Sequence, residues 1–564
     1  MRAQIDPLTM TPTDSDRAPL WRWFLPAAVL VALVLRTWWA WGHALCIEQE
    51  GAEYARLAQN LLAGKGYVGI FNAGVQLNFP PLYPLLIAAL SVPMGDAEIA
   101  ARAINILMGA ALVVPAFKLA ETLHGRRVAV ATAVLVVLHP VLVAGSASTY
   151  AEGPYLTLMV LALLCLVVWV KERRITASVG CGVCFGLAYL IRPEAFLLAG
   201  LFAAGGLAAA MLAEDRRRVL ASSLALLAAF IVIAAPNIAF LSYHTGKLRI
   251  EAKGTLAYQW GQKINQGLSY TEATSGIGPD LSERGVFMQP NLDVIKSTSY
   301  TTSEYAQFVL SAAKKNVAPI IRTVTGEAAL GAPWLFALVV LGLFGTAWSR
   351  ERMRLELLFV IYASVFVLVL LTVQALWFRY FYAILGMLLF WAAKGADELR
   401  LWGQSTAGAV IRNERHAGLL GQGLMWFAIA FVLFVAYRNI AYVGQFQESQ
   451  YADRKEAGKW LATQIPPPRR IMDVGLQVAY YAGADLMYLP SGADSDLAVR
   501  YVAKRDPDYI VLVSEARNSR TYFSQWFDQG IPSPNAKLVY DRVNPGGEHV
   551  RIYRWSAEPP AATN

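Results

Sequence analysis

The stretch IEQEGAEYARLAQNLLAGKGY, residues 47–67, follows a long apolar run and sets the arrangement of the rest of the chain. Its spacing predicts an amphipathic helix that ends at a pair of glycines. One face carries the aromatic and apolar side chains Tyr54, Leu57, Ala58, Leu61 and Leu62. The other face carries the polar side chains Glu53, Arg56 and Asn60. Glu50, one turn before Tyr54, falls on the apolar face, beside the expected edge of a membrane. A carboxylate in that position needs a physical reason.

The composition is that of a polytopic α-helical membrane protein. Of the 564 residues, 56% are hydrophobic and 16% are charged, and the mean hydropathy is +0.41. A soluble domain usually carries about 25% charged residues. The apolar residues come in blocks separated by short basic loops, as transmembrane helices do. The N-terminal residues lack the features of a cleaved signal peptide, so we expect the first apolar helix to be retained.

Neither the net charge nor the cysteines indicate a nucleic-acid or metal-binding protein. The net charge is +9, but the basic residues cluster beside the apolar blocks, where membrane topology explains them. Zinc-finger spacing and aromatic RNA-binding motifs do not occur. The CGVC segment at 181–184 lies in an apolar run without a second cysteine pair or histidines. We interpret its cysteines as small core residues and predict no metal site from the sequence.

Hydropathy predicts eleven transmembrane spans and, through the loops, their orientation. The spans are 22–42, 99–119, 128–147, 154–170, 176–191, 195–212, 219–241, 331–348, 355–376, 378–395 and 419–442. Basic segments follow the even-numbered spans: GRR at 125–127, KERR at 171–174, EDRRR at 214–218 and SRERMR at 349–354. All of them fall on one side, which the positive-inside rule makes cytoplasmic.

The predicted topology divides the chain into three parts. The apolar segment 81–95 is about half the length needed to cross hydrocarbon, so we interpret it as re-entrant or interfacial. The segment 1–21 is then cytoplasmic. Residues 22–442 form the transmembrane module, with long outer loops at 43–98 and 242–330. Residues 443–564 follow on the outer side.

The last part is predicted to be a small α/β domain. Two segments have helical periodicity, KEAGKWLATQI at 455–465 and DLAVRYVAKRD at 496–506. Four others alternate or are rich in β-branched and aromatic residues, as strands are: RRIMDVG at 469–475, DYIVLVSE at 508–515, KLVYDRV at 537–543 and HVRIYRW at 549–555.

Five charged residues lie at the outer ends of spans, where topology does not require them: Glu50, Glu152, Arg192, Glu194 and Arg379. Charges at membrane depth are costly and tend to mark function. Each also has a structural interpretation. Glu50 and Glu152 could favour helix N-termini through the helix dipole. Arg192 and Glu194 could form a local ion pair, and Arg379 could anchor an aromatic belt. Because all five face the same side, we expect them to assemble one site.

That set of side chains suits a lipid-linked phosphosugar. Arginine binds phosphate with a planar fork of donors, and a carboxylate can deprotonate or orient a hydroxyl. Glu50 would activate the acceptor. The arginines would stabilise the departing lipid phosphate as its charge develops.

Several segments resemble the GT-C type glycosyltransferases, in particular the protein O-mannosyltransferase and aminoarabinose-transferase superfamily. EGAEYARLAQNLLAGKGY followed by NFPPLYPLLIAAL is similar to the family's first outer loop, in which an acidic residue stands four before a tyrosine. Glu50 and Tyr54 match that pair, and Pro80 to Tyr83 match a Pro-Pro-Leu-Tyr-like segment. Glu152, in STYAEGPYL, matches a second acidic residue. The segments GLAYLIRPEAF and WFRYFYAILGMLLFWAAKGADEL are also similar to family segments.

The chain departs from the family pattern at its first acidic residue. Most members have aspartate there, often followed by glutamate, whereas this chain has Glu50 followed by Gly51. The likeness covers most of residues 22–395 and is diffuse in 242–330.

The resemblance implies an inverting membrane enzyme that takes a sugar from a polyprenyl-phosphate donor. It places the active site and the C-terminal domain on the outer side of the bacterial inner membrane, in the periplasm. The acceptor would be an envelope glycan, a lipid or a protein. Some family members use a divalent metal and others do not, so no cofactor is assigned. We predict Glu50 and Glu152 as catalytic residues.

The remaining predicted site residues would bind the two substrates. Arg379, Arg192 and Lys65 would contact the donor phosphate. The other predicted substrate contacts are Tyr54, Tyr83, Glu194 and Tyr380. Burial of Glu50 is expected to raise its pKa, with a nearby cation offsetting part of that effect.

Two other functions stay open at this point. The same carboxylates and arginines could bind a lipid-linked saccharide for transport across the membrane, although no repeated half and no paired broken helices are evident. The protein could also be a scaffold whose outer domain binds a partner. Loss of transfer on substitution of Glu50 would favour the enzyme.

Overall fold

The computed structural model describes residues 20–411, 413–443, 451–543 and 548–556. Most of the predicted N-terminal segment 1–21 lies outside these residues. The described chain is mainly helical up to Tyr442, and a mixed α/β domain follows.

The helices of the N-terminal half surround one apolar core. They are α1 (Leu20–His43), α2 (Gln49–Leu62), α3 (Leu82–Met94), α4 (Ala97–Ala111), α5 (Val113–His124), α6 (Arg126–Leu138), α7 (Pro140–Ala147), α8 (Glu152–Glu172), α9 (Ile175–Tyr189), α10 (Ala195–Leu212) and α11 (Arg216–Thr245). The next four helices all lie in the loop 242–330: α12 (Lys253–Asn265), α13 (Tyr270–Ser275), α14 (Asn291–Ser297) and α15 (Thr302–Gly326). The bundle is completed by α16 (Trp334–Phe344), α17 (Arg350–Thr372), α18 (Tyr382–Val410) and α19 (Glu414–Asn439).

Seven helices of the described chain are long and apolar enough to cross a membrane. They are Trp23–His43, Ala97–His124, Glu152–Glu172, Ala195–Leu212, Arg216–Thr245, Arg350–Thr372 and Glu414–Asn439. An eighth would be the bent pair α6 and α7. Ile175–Tyr189 and Trp334–Phe344 are apolar but shorter, and α18 carries several charges. Every predicted span is mainly helical, but the spans 99–119 and 128–147 each extend over two helices, and the count of eleven membrane crossings stays a prediction.

The bent pair has an identifiable cause. Pro140 opens α7 directly after His139, and the two helices meet at 50°. Proline has no N–H to continue the helix, so carbonyl groups at the end of α6 lose their partners. Arg36 of α1 is fully buried and donates to two of these, Val136 O at 3.0 Å and Val137 O at 3.3 Å. A buried arginine therefore stabilises the break.

The prediction for residues 47–67 is confirmed in its helix but corrected in its surroundings. α2 ends before Gly64, whose φ of +72° is the left-handed conformation that glycine adopts readily. The polar face of this helix, for which the sequence predicts no partner, is buried. Arg56 donates to Ala479 O and Ala484 O, both at 3.2 Å, because the C-terminal domain packs on that face. Conversely, Leu62 on the predicted apolar face is 52% exposed.

The C-terminal domain contains a five-stranded sheet in the order β2-β1-β3-β5-β4. Its strands are β1 (Arg470–Asp473), β2 (Asp485–Tyr488), β3 (Tyr509–Val513), β4 (Ala536–Val543) and β5 (His549–Trp555). β1 pairs in parallel with β2 and β3, and β5 is antiparallel to β3 and β4. Its helices are α20 (Ala452–Ala462), α21 (Gln477–Tyr481), α22 (Ser495–Arg505) and α23 (Phe523–Gln529).

All six elements predicted for this domain are confirmed, whereas β2, α21 and α23 were not predicted. The domain docks against the loop 43–98: Leu486 N donates to Ile70 O at 2.9 Å, and Asn72 Nδ2 donates to Asp485 Oδ2 at 2.9 Å. We call the end of the helical bundle that carries this domain the domain end.

Candidate active site

A cavity of about 800 Å³ opens at the domain end, between the helical bundle and the C-terminal domain. Four parts of the chain form its wall: the region from α2 to Phe79, the helices of the 253–291 region, residues 376–380, and the domain residues around β1 and β2. Cavities of this size at domain boundaries are typical of ligand sites.

Glu50 and Arg379 meet at this cavity. Glu50 lies in the first turn of α2, and its side chain is 31% exposed to the cavity. Arg379 lies in the 3-10 turn Phe378–Phe381 and donates through Nη2 to Glu50 Oε1. Its guanidinium also lies 4.7 Å from the ring centroid of Tyr150. Among the described residues, Arg379 Nη1 has no hydrogen-bond partner. Because Arg379 lines the cavity, this N–H group is available to donate to a ligand there.

The electrostatic setting of Glu50 corrects the expectation from its sequence. Burial raises the pKa of Glu50, but the positive charges of Arg379 and Lys253 outweigh that effect, and the net pKa is below its ordinary value. The carboxylate is therefore ionised at neutral pH. It is ready to accept a proton whenever a hydroxyl reaches it.

The other predicted charges form a second layer behind the cavity wall. Arg192 Nη1 donates to Glu152 Oε1 at 2.9 Å, and Arg192 Nη2 lies 3.5 Å from Glu194 Oε1. The Tyr380 ring joins the two layers, because its centroid lies 5.6 Å from the Arg192 guanidinium and 5.5 Å from that of Arg379. The structure thus brings all five predicted charges together, but only Glu50 and Arg379 of these line the cavity.

Three predicted residues lie apart from the cavity wall. Lys65 is exposed in the turn after α2. Tyr54 packs its ring against Phe79 and Tyr83, each 5.0 Å away between centroids. Tyr83 is fully buried and donates from its hydroxyl to Thr149 O at 3.0 Å. Tyr54 and Tyr83 are packed in the protein interior and Lys65 is open to solvent, so we propose no substrate contact for these three residues.

Two charged residues at the site were not predicted. Glu48 is buried and accepts from the Thr149 backbone N–H at 2.9 Å and from the Thr149 hydroxyl. It thereby joins the start of α2 to the turn that leads into Glu152. Lys253, the first residue of α12, lines the cavity and lies 4.0 Å from Glu194 Oε1. Glu48 stands two positions before Glu50 and was visible in the sequence, whereas Lys253 lies in a loop without a recognisable pattern.

The far wall of the cavity is aromatic and is completed by the C-terminal domain. Trp260, Tyr270 and Trp377 face the cavity from the bundle side, and the rings of Trp260 and Tyr270 pack edge to face at 5.2 Å. Tyr488 and Arg520 face it from the domain. The cavity is therefore incomplete without the domain.

The donor set at the cavity does not fit a divalent cation. Among the described residues, the carboxylates of the wall are Glu50 and Glu53. Glu50 is paired with Arg379. Both oxygens of Glu53 are occupied, since they accept from Ile70 N at 2.9 Å and from Gln76 Nε2 at 2.7 Å. The chemistry proposed below uses the chain's own side chains.

Comparisons with known proteins identify the fold. The sequence model of the dolichyl-phosphate-mannose-protein mannosyltransferase family matches residues 78–240. No curated protein matches the chain significantly. Among solved structures, the archaeal oligosaccharyltransferase AglB from Archaeoglobus fulgidus, in complex with an inhibitory peptide and a dolichol-phosphate, is 15% identical with a TM-score of 0.60. The alignment covers 97% of this chain and 75% of that one.

A solved bacterial structure shows the same likeness in fold. ArnT from Cupriavidus metallidurans, bound to undecaprenyl phosphate, is 14% identical with a TM-score of 0.53, over 96% of this chain and 100% of that one. At such identities the likeness shows the fold. Together with the family match over residues 78–240, it confirms the resemblance to the GT-C type of membrane glycosyltransferases at the level of the fold, with a small C-terminal sheet domain.

Proposed function

We propose that the protein transfers a sugar from a polyprenyl-phosphate donor to an acceptor hydroxyl at this cavity, with inversion at the anomeric carbon. The observation that carries the proposal is the Glu50–Arg379 pair at the wall of the cavity. It places a carboxylate that can accept a proton beside a guanidinium that can bind phosphate. Two structural relatives support the donor class, since AglB was solved with a dolichol-phosphate and ArnT with undecaprenyl phosphate.

In the proposed reaction, the acceptor oxygen attacks the anomeric carbon of the sugar. The new carbon–oxygen bond forms as the bond to the phosphate oxygen breaks, and the polyprenyl phosphate leaves with the bonding electrons. The hydroxyl proton passes to Glu50. Because the phosphate gains one negative charge while Glu50 loses one, the total charge of the site stays constant, which favours the reaction in a cavity shielded from water.

Arg379 has two tasks in this proposal. Before the donor binds, its Nη2 holds Glu50, while its Nη1 lacks a partner among the described residues. Donor phosphate would draw the guanidinium toward itself. Glu50 would then lose part of the interaction that lowers its pKa, and so would become a stronger base only when the donor is present.

The second layer of charges would hold Glu50 and Arg379 in place. Glu152 acts through Arg192, and Arg192 and Arg379 share the Tyr380 ring. Lys253 adds a further positive charge at the cavity wall and replaces Lys65 as the lysine proposed to contact the donor phosphate. The active site would face the outside of a bacterial inner membrane, as the positive-inside rule predicts from the basic loops.

Donor binding by an Arg379→Gln variant tests this assignment. Loss of a charge-assisted hydrogen bond costs about 1.5–3 kcal/mol, so the variant should bind a polyprenyl-phosphate sugar about 10- to 150-fold more weakly. Titration of purified protein in lipid nanodiscs measures this affinity. Arg284→Gln is the matched control, because Arg284 is an exposed arginine of the 242–330 region that does not line the cavity. Unchanged donor affinity in Arg379→Gln would remove Arg379 from the donor site.

A further inference from the structure

A group of three carboxylates lies in the C-terminal domain, outside the candidate active site. Asp453, Glu515 and Glu548 each direct one carboxylate oxygen to a common point, with these oxygens within 4.8 Å of one another. The three residues come from separate parts of the domain. Asp453 lies in the first turn of α20, Glu515 in the 3-10 turn after β3, and Glu548 directly before β5. Because β3 and β5 pair side by side, with Val513 opposite Val550, the sheet itself brings the two glutamates together.

Asp453 provides a second and independent observation. It is only 6% exposed, yet neither of its carboxylate oxygens has a hydrogen-bond partner among the described residues. A buried carboxylate normally is paired or hydrogen-bonded, since leaving it without partners costs several kcal/mol. Here the side chain instead points toward two more carboxylates. That arrangement is unfavourable for the chain alone and becomes favourable once a cation lies between the three groups.

The charge of the cluster indicates the kind of cation. Arg454 donates from Nη2 to Glu515 Oε2 at 3.1 Å and so neutralises one of the three negative charges. Carboxylates thus outnumber the guanidinium at this cluster, which favours a multivalent cation. The neighbouring Glu456 does not alter this balance, because it is paired with Arg542 at 2.7 Å.

The type of ligand indicates which divalent ion fits. All three candidate ligands are carboxylate oxygens, which hard cations such as Ca²⁺ bind at about 2.3–2.6 Å. Mg²⁺ demands near-ideal octahedral geometry at about 2.0–2.1 Å, whereas Ca²⁺ accepts the irregular geometry that ligands from three separate segments offer. Zinc sites in proteins usually include cysteine or histidine, and none belongs to this group. We propose that Asp453, Glu515 and Glu548 form a Ca²⁺-binding site that fixes the start of the C-terminal domain.

The site would connect the domain to the cavity. Tyr451 lines the cavity and stands two residues before Asp453, and the Arg454 guanidinium lies 3.9 Å from the centroid of the Tyr451 ring. An ion held by Asp453 would therefore fix the first turn of α20 and, with it, this part of the cavity wall. The inference does not depend on the proposed sugar transfer, because Ca²⁺ binding can be measured without a substrate.

Calorimetric titration of the full-length protein with CaCl₂, after removal of bound metal with a chelator, tests the proposal. We expect a saturable single-site isotherm for the wild type, weaker binding of MgCl₂, and loss of Ca²⁺ binding in Asp453→Asn. The control is Glu456→Gln, which removes one negative charge from the same helix but outside the cluster and should bind Ca²⁺ like the wild type. Absence of saturable binding in the wild type, or unchanged binding in Asp453→Asn, would overturn the proposal.

Thermal unfolding gives a readout that separates a metal site from a purely structural cluster. In EDTA, Asp453→Asn should unfold at a higher temperature than the wild type, because it relieves repulsion between carboxylates. In CaCl₂ the order should reverse, because only the wild type gains stability from the ion. Glu515→Gln provides a second variant if Asp453→Asn fails to fold. The same order of unfolding temperatures in both buffers would contradict the proposed site.

Discussion

Replacement of Glu50 by glutamine tests the proposed base most sharply. The amide keeps the size of the side chain and an oxygen that can accept from Arg379 Nη2, but it cannot take the acceptor proton. Among the described residues, the other carboxylate of the cavity wall is Glu53, and both of its oxygens already accept hydrogen bonds. No second wall carboxylate is therefore free to replace Glu50. General base catalysis contributes about 10²–10⁴-fold, so the turnover rate should fall by that factor, which corresponds to about 3–5 kcal/mol in the barrier.

The same substitution should leave donor binding intact. Without its ionised partner, Arg379 is freer to turn toward phosphate, so the donor should bind at least as tightly as in the wild type. Single-turnover transfer from a radiolabelled polyprenyl-phosphate sugar measures the chemical step, and a titration in nanodiscs measures the affinity. Asp280→Asn is the matched control, since Asp280 is an exposed acidic residue of the 242–330 region that does not line the cavity. Turnover like that of the wild type in Glu50→Gln would refute the base assignment.

Three other predictions concern the pH dependence, the second layer and the helix break. Because the pKa of Glu50 in the free protein is lowered, kcat/KM should stay constant as the pH falls to about 4.5 and should drop only below that value, as Glu50 becomes protonated. In contrast, kcat should begin to fall at a higher pH, because bound donor draws Arg379 away from Glu50 and so raises the pKa of Glu50. Glu48→Gln should lower kcat by about 10- to 100-fold through misplacement of Thr149 and the turn that leads to Glu152, with donor affinity and the acidic limb of kcat/KM unchanged. Arg36→Met should reduce stability by about 1–3 kcal/mol in denaturant unfolding, because the carbonyls of Val136 and Val137 lose their donor.

Each of these predictions has an outcome that contradicts it. A fall of kcat/KM at a pH well above 4.5 would show that Glu50 is not held ionised by Arg379 and Lys253 in the free protein. Weakened donor binding in Glu48→Gln would mean that Glu48 acts on the donor rather than through Thr149. Unchanged stability in Arg36→Met would mean that the bend between α6 and α7 does not depend on Arg36.

Much of the fold could be predicted because its signals are local. Apolar blocks separated by basic loops indicate membrane helices, and the periodicity of residues 47–67 predicts α2. In the C-terminal domain, strands and helices with clear patterns were predicted, but β2, with only four residues, is too short to carry one. The 25-residue helix α15 was not predicted, because residues 242–330 were interpreted as one long outer loop, although Thr301 and Glu304 form a capping box at the start of the helix.

The charged residues of the candidate site could be predicted from the sequence, but not which of them line the cavity and which lie behind its wall. Glu50 and Arg379 are 329 positions apart in the chain. Both are charged residues at the ends of predicted membrane spans, where a charge is unfavourable, and this shared feature indicated that they belong to one site. Which of the charges reach the cavity depends on packing between distant helices, so the sequence could not distinguish Glu50 from Glu152. The partner of the polar face of α2 could not be predicted for the same reason, since the domain that covers this face begins about 400 residues later.

The measurement that tests the central claim most directly is sugar transfer by the purified protein in lipid, with a panel of radiolabelled polyprenyl-phosphate sugars and a set of glycan, lipid and peptide acceptors. We predict that one donor gives a glycosylated acceptor and an equal amount of free polyprenyl phosphate, that the new linkage has the inverted anomeric configuration, and that Glu50→Gln forms both products about 10²–10⁴-fold more slowly. Movement of an intact donor across the bilayer without release of polyprenyl phosphate would contradict the account and would identify the cavity as the binding site of a transporter.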